Sequence, residues 1–224
     1  MATGLKSFGL HYIIFMTHLA ILTADYAYIV LPTDKVYAGR FKFLTFWSFL
    51  IGFAYYNVAA VMDFLAYTRG KESSLWVKIS DYIFTTIVFP LAMFVCSMFW
   101  ILYTANPSFM RGPEEDKIIP KWMNHGYHTV PIMAAFLEAY SIRHVYSRIR
   151  AAVVGIFALN SVYIIWLFWI AYRANIWVYP ILQRMSLFGV FVFIGVCVLL
   201  SLVLYMIGRK FSEFVWQEIY EIEE

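Results

Sequence analysis

Six apolar runs of about twenty residues, separated by short stretches where proline, glycine and charge collect, constrain this chain more than any other feature. They lie near 8–31, 43–66, 79–103, 122–140, 151–172 and 186–206. At about 1.5 Å rise per residue, each run is long enough to cross a hydrocarbon layer about 30 Å thick as an α-helix. A backbone at that depth has no water to bond to, which makes helices the economical choice. Pro32 with Gly39, the segment Arg69-Gly70-Lys71-Glu72-Ser73-Ser74, and Asn106-Pro107 through Pro113-Glu114-Glu115-Asp116 supply turn residues and charge where helices should stop. Six spans consume most of the 224 residues, of which 62% are hydrophobic and only 14% charged. The expected fold is a single all-α, polytopic membrane domain over 1–224 with about six transmembrane helices and no sizeable soluble domain.

The 17 basic and 14 acidic residues are scattered between the apolar runs and form no basic surface for nucleic acid. Cys96 and Cys197 both fall inside runs, which argues against a disulfide framework or a zinc-ligand spacing. The first run follows Lys6 as a signal peptide does, yet Leu22 spoils the cleavage pattern ending at Ala24, so a retained helix is expected. Tyr67, Trp76, Tyr103, Trp122, Tyr172, Trp177 and Tyr179 stand at span ends, where amphipathic rings suit the headgroup layer. After the last run, Phe211, Phe214, Val215, Ile219 and Ile222 alternate with Glu213, Glu218 and Glu221 at helical spacing. This predicts a short amphipathic tail along the membrane surface. Six spans put both termini on one side, which collects nine Lys/Arg against eight opposite. The 143–150 loop, with three arginines and no acid, tips the orientation toward cytoplasmic termini, in the endoplasmic reticulum or plasma membrane.

Ionisable and polar side chains are costly in a bilayer, so those within spans are the first place to look for function. The set comprises His11, His18 and Asp25 in the first run, Thr45, Asn57 and Asp63 in the second, and Asp81 in the third. The fourth adds Asn124, His125, His128 and Glu138, and the fifth adds Asn160. Thr45 follows the first loop and His128 the third, and in a six-span protein those loops share a side. Both should then lie roughly 3–9 Å below the same interface. Asp25 reaches that layer too, as a supporting group that orients a histidine or as an acid that simply reaches water, whereas Asp63, Asp81 and Glu138 fall toward the opposite face, where the two aspartates are expected to cap or anchor.

A hydroxyl within reach of a histidine is the minimum apparatus for nucleophilic catalysis, because the base removes the proton that keeps the oxygen unreactive. The competing reading of Thr45 is a bond back to the Phe41 carbonyl, as threonines in membrane helices commonly make. His125 and His128 stand three apart on one helical face, and Pro131 cannot donate to the Tyr127 carbonyl. The turn so opened suits a water or substrate oxygen, or is a simple kink. His11 and His18, seven apart, share a face and are either ligands or packed core histidines. A haem- or metal-binding oxidoreductase using His11, His18, His125 and His128 is therefore one alternative, and a non-enzymatic lipid-sensing protein another.

Several stretches resemble the androgen-induced and androgen-dependent, FAR-17a-type membrane protein family. They are Lys42-Phe43-Leu44-Thr45-Phe46, and Ile119 through Thr129 with its Asn124-His125-Gly126-Tyr127-His128-Thr129 element. Asp63 with Thr68-Arg69-Gly70, Phe99-Trp100-Ile101-Leu102-Tyr103, and Trp177-Val178-Tyr179-Pro180 complete the set. The resemblance implies a threonine hydrolase of the membrane that cleaves fatty acid esters of hydroxy fatty acids, with Thr45 as nucleophile and His128 as base. It matches no acid to Asp25. Oxyanion donors are expected from the first-turn amides of the second and fourth helices, Asn124 or His125, since helix starts are where free N–H groups occur in a membrane. No cofactor or metal is called for, and the lipid ester is expected to enter laterally from the bilayer.

Overall fold

The computed structural model of the protein describes residues 2–71 and 73–220. Helix α1 (Ala2–Tyr28) runs antiparallel to α2 (Leu44–Arg69), so that His11 meets Asp63 near one end and His18 meets Phe49 nearer the other. Gly70, at φ 66°, closes α2 in the left-handed conformation that only glycine adopts without strain. The Ser73 hydroxyl then accepts from the Trp76 amide and caps α3 (Ser74–Ile83). A π turn over Phe84–Val88 joins α3 to α4 (Phe89–Ala105). Pro90 has no N–H for the Thr86 carbonyl, and the wider turn absorbs that loss without breaking the span.

Past α4 the chain turns through Pro107–Phe109 into α5 (Pro113–Ile118), whose first turn carries Glu114, Glu115 and Asp116 at the positive end of its dipole. The fourth apolar run is two helices rather than one, α6 (Lys121–His128) and α7 (Val130–Ser141). The break falls at Thr129, at φ −130°, two residues before Pro131. The carbonyl of His128 turns to the Trp100 indole, which donates to it at 2.8 Å. The interruption is thus satisfied by protein, the condition under which irregular backbone survives at membrane depth. The long α8 (Ile149–Ala174) follows, then the short α9 (Pro180–Gln183) and finally α10 (Leu187–Tyr220).

Five helical stretches are long and apolar enough to cross a membrane, namely Leu5–Tyr28, Leu44–Arg69, Ser74–Ala105, Ile149–Ala174 and Leu187–Trp216. Among the described residues there is no strand. The protein is an all-α, multi-pass membrane protein, with the divided α6–α7 run where the sequence predicts an unbroken span. The amphipathic tail also differs from expectation, because α10 continues through Tyr220 without a bend into a separate element. Phe211 packs against Phe136, and the Trp216 indole donates to the Ala139 carbonyl at 3.1 Å, so this segment is held by α7. Glu221 and Ile222 lie outside the described residues. One core forms where Tyr55, Tyr56, Phe84, Phe89 and Ala135 meet between α2, the π turn and α7. A second gathers Tyr163, Leu167, Leu182 and Val190 under the α8–α10 end. Val154, Ile165, Phe188 and Leu199 point outward, as lipid-facing residues should.

Candidate active site

Thr45 sits in the first turn of α2, and the start of that helix is fixed from outside it. The Leu44 amide donates to the hydroxyls of Tyr163 and Tyr179, both at 3.0 Å, and Tyr163 in turn donates to the Lys42 carbonyl. The amides of Phe46 and Trp47 bond to the Phe43 carbonyl, which leaves the Thr45 N–H as the uncommitted amide of that turn. The Phe41 carbonyl, the competing partner for the Thr45 hydroxyl, accepts instead from the indoles of Trp47 at 2.7 Å and Trp166 at 2.9 Å. Among the described residues the Thr45 hydroxyl makes no hydrogen bond.

His128 closes α6 and lies against the same cavity of about 130 Å³ as Thr45. Its ring is stacked on Phe99, and its Nδ1 is buried without a hydrogen-bond partner. Gly126 lets α6 come this close to α1, since a Cβ there would meet the Ile21 side chain at 3.2 Å. Asn124 and Asp25 line the cavity as well. The Asn124 side-chain oxygen accepts from Arg111 at 2.6 Å. Asp25 does not reach an imidazole among the described residues. Its carboxylate accepts from the Tyr127 hydroxyl at 2.7 Å and pairs with Arg40, which also grips Asp34 and the Ile29 carbonyl. His125 stands outside the cavity, exposed, with Nδ1 3.0 Å from the Thr129 hydroxyl.

Reading the sequence alone missed the two arginines in this cavity, Arg40 and Arg111. Both belong to interspan loops, where charge ordinarily does no more than mark the ends of helices. Burial pulls the Arg111 guanidinium below its ordinary pKa, with Asp116 opposing, and the group rests over the rings of Phe99 and Tyr103. Such a cation, desolvated and lining a pocket, is an anchor for an anionic group. A second cavity of about 110 Å³ adjoins the first and is lined mainly by apolar side chains, among them Met98, Leu167, Leu182 and Ile194. Thr45, Phe99, Met110 and Tyr179 line both. Thr45 therefore stands where a chamber that carries charged and polar side chains on largely apolar walls meets one that is apolar nearly throughout.

The four histidines of the oxidoreductase alternative do not converge. His11 pairs with Asp63, His18 bonds back to the Ile14 carbonyl, His125 meets Thr129, and His128 rests on Phe99. No group of three or more metal-ligating side chains is placed to hold an ion among the described residues. Asp63 and Asp81 do more than cap. They end a buried chain in which Asp63 meets His11 at 2.8 Å, His11 approaches Glu138 at 3.4 Å, Glu138 meets His144 at 3.1 Å and His144 meets Asp81 at 3.0 Å. His144, in the loop after α7, was not legible as a member of this chain because it lies outside every apolar run.

Comparison with known proteins agrees with this architecture. The chain is 26% identical to the androgen-induced gene 1 protein of Homo sapiens over 94% of its own length and 92% of that protein's. It is 28% identical to the androgen-dependent TFPI-regulating protein of Homo sapiens, over 85% of this chain and 83% of the relative. With the protein of the same name from Rattus norvegicus it shares 30% identity, over 80% of this chain and 78% of the relative. No solved structure matches. Residues 9–213 match the FAR-17a/AIG1-like protein family, a span that takes in all or most of every long helix together with Thr45 and His128, and the chain belongs to that family.

Proposed function

We propose that this protein is an intramembrane lipid hydrolase that cleaves the ester bond of fatty acid esters of hydroxy fatty acids, with Thr45 as nucleophile and His128 as base. The observation that carries this reading is the unbonded Thr45 hydroxyl facing the same cavity as a histidine with a free buried nitrogen. The resemblance of both sequence stretches to the family adds to it.

The reaction is acyl transfer in two steps. Thr45 Oγ1 attacks the ester carbonyl while His128 accepts its proton, and collapse of the tetrahedral intermediate expels the hydroxy fatty acid, to which His128 returns that proton. A water molecule then gives its proton to His128 and attacks the acyl-threonine, releasing the fatty acid and restoring the hydroxyl. Charge developing on the carbonyl oxygen is met by the uncommitted Thr45 amide and by the side-chain N–H groups of Asn124. His125, outside the cavity, takes no part. The acyl chain occupies the apolar chamber beyond Thr45, and the hydroxy fatty acid lies on the polar side with its carboxylate against Arg111. A branched lipid divided at its ester suits two chambers divided at the nucleophile. The test is hydrolysis of such a branched ester by the purified protein beside its Thr45→Ala form. Release of both fatty acids only by the unaltered protein supports the reading, and equal rates from the two forms reject it.

A further inference from the structure

We propose that a second cavity, at the membrane end opposite to Thr45, binds the headgroup phosphate of an anionic lipid. Asp63 marks that end on α2 and is eighteen residues from Thr45, about 27 Å at the usual helical rise. The cavity has a volume of about 610 Å³, several times that of either chamber at Thr45. Exposed Lys6, Arg69, Lys71 and Arg143 line its mouth, and buried His11 and His144 line its floor.

The charge balance favours an anion. Asp63 and Asp81 also line the cavity, but each already holds an imidazole, His11 at 2.8 Å and His144 at 3.0 Å. Glu138 is shared between the same two histidines. The acids are thus committed inward, while Lys6, Arg69 and Lys71 form no ion pair among the described residues. His11 is only 4% exposed, and its two ring nitrogens face carboxylates, Asp63 at 2.8 Å and Glu138 at 3.4 Å, which keeps these acids turned away from a ligand. A phosphate group at the mouth would accept from the lysine and arginine donors there.

The amphiphilic lining selects a lipid over a soluble phosphate. Leu10, Met62, Trp76 and Trp216 share the walls with the cations. The cavity opens between the ends of α1, α2 and α3, at the level where the headgroup layer begins. Basic pockets between helix ends are suited to anionic headgroups, each lysine or arginine adding attraction toward a negatively charged leaflet.

The experiment measures binding of three probes to the purified full-length chain in detergent: dioctanoyl phosphatidic acid, dioctanoyl phosphatidylcholine and inorganic phosphate. Phosphatidic acid is expected to bind at least tenfold more tightly than either of the others. The Arg69→Gln/Lys71→Gln double variant is expected to lose at least tenfold of that affinity while folding and hydrolysing esters as before, because both side chains are exposed and far from Thr45. Lys6→Gln, a third exposed change at the mouth, is expected to weaken phosphatidic acid binding as well. Equal affinity for the phosphatidic acid and phosphatidylcholine probes, or no loss in the double variant, overturns the proposal. Inorganic phosphate binding as tightly as phosphatidic acid overturns the assignment to a lipid.

Discussion

His128 lies flat on Phe99, ring centroids 3.4 Å apart and planes within 4° of parallel. With no carboxylate on its Nδ1, this stack is what fixes the plane of the imidazole at the cavity wall. A base held by packing alone depends on its packing partner. Phe99→Leu is therefore expected to lower kcat about tenfold with little change in KM, and Phe99→Tyr to restore most of it. Steady-state kinetics on the three forms checks this, and an unchanged kcat in Phe99→Leu would show that the stack positions nothing.

Thr45→Ala and His128→Ala are each expected to abolish hydrolysis, and the double variant to be no worse than either. In the proposed mechanism nucleophile and base act on one proton in one step, so once either is lost the other has nothing left to accelerate. Thr45→Ser keeps the oxygen but loses the methyl group that restricts its rotamer, and partial activity is expected. A threonine lost from a membrane helix costs about 1 kcal/mol of packing or hydrogen bonding, far too little to account for complete inactivation. Normal insertion with the original rate in Thr45→Ala would make Thr45 a structural residue.

In the proposed mechanism Arg111 holds the free carboxylate of the substrate. Arg111→Gln is expected to raise KM for the free acid by about ten- to a hundredfold, the worth of a charge-assisted hydrogen bond. The methyl ester of the same substrate should be turned over equally by both forms. A loss that is the same for acid and methyl ester would place Arg111 in the scaffold, holding Asn124, rather than on the substrate.

Asp25 pairs with Arg40, which also holds Asp34 and the Ile29 carbonyl, and it has no catalytic role in the proposed mechanism. Removing one partner of a buried ion pair leaves the other charge stranded, at a cost of about 3–5 kcal/mol. Asp25→Asn is expected to lower the unfolding temperature markedly while the protein that remains folded keeps kcat within about threefold. Thermal unfolding and kinetics on the same preparation separate the two roles. A thousandfold fall in kcat at unchanged stability would return Asp25 to the catalytic machinery.

Pro131 made the opened turn of the fourth run legible, since a missing N–H is a local property of the chain. The same holds for Gly70 at the end of α2 and for the length of every apolar run, and from these the all-α membrane fold follows directly. The shared depth of Thr45 and His128 was legible too, because position along a helix is a count of residues. What the count leaves open is rotation about the helix axis and where the loops fold. Packing turned His125 outward and His128 inward although they are three residues apart on one helix. It laid Arg40 on Asp25 and brought Arg111 over Phe99, both from loops whose charges carry no periodicity to read. It also drew His144 back to Glu138 and Asp81 from outside every span. The sequence by itself determined that the chain is a set of apolar helices long enough to cross a membrane, since that depends on local length and hydropathy. Only the tertiary structure decided which polar groups meet, because side-chain direction is set by close packing among helices distant in the chain.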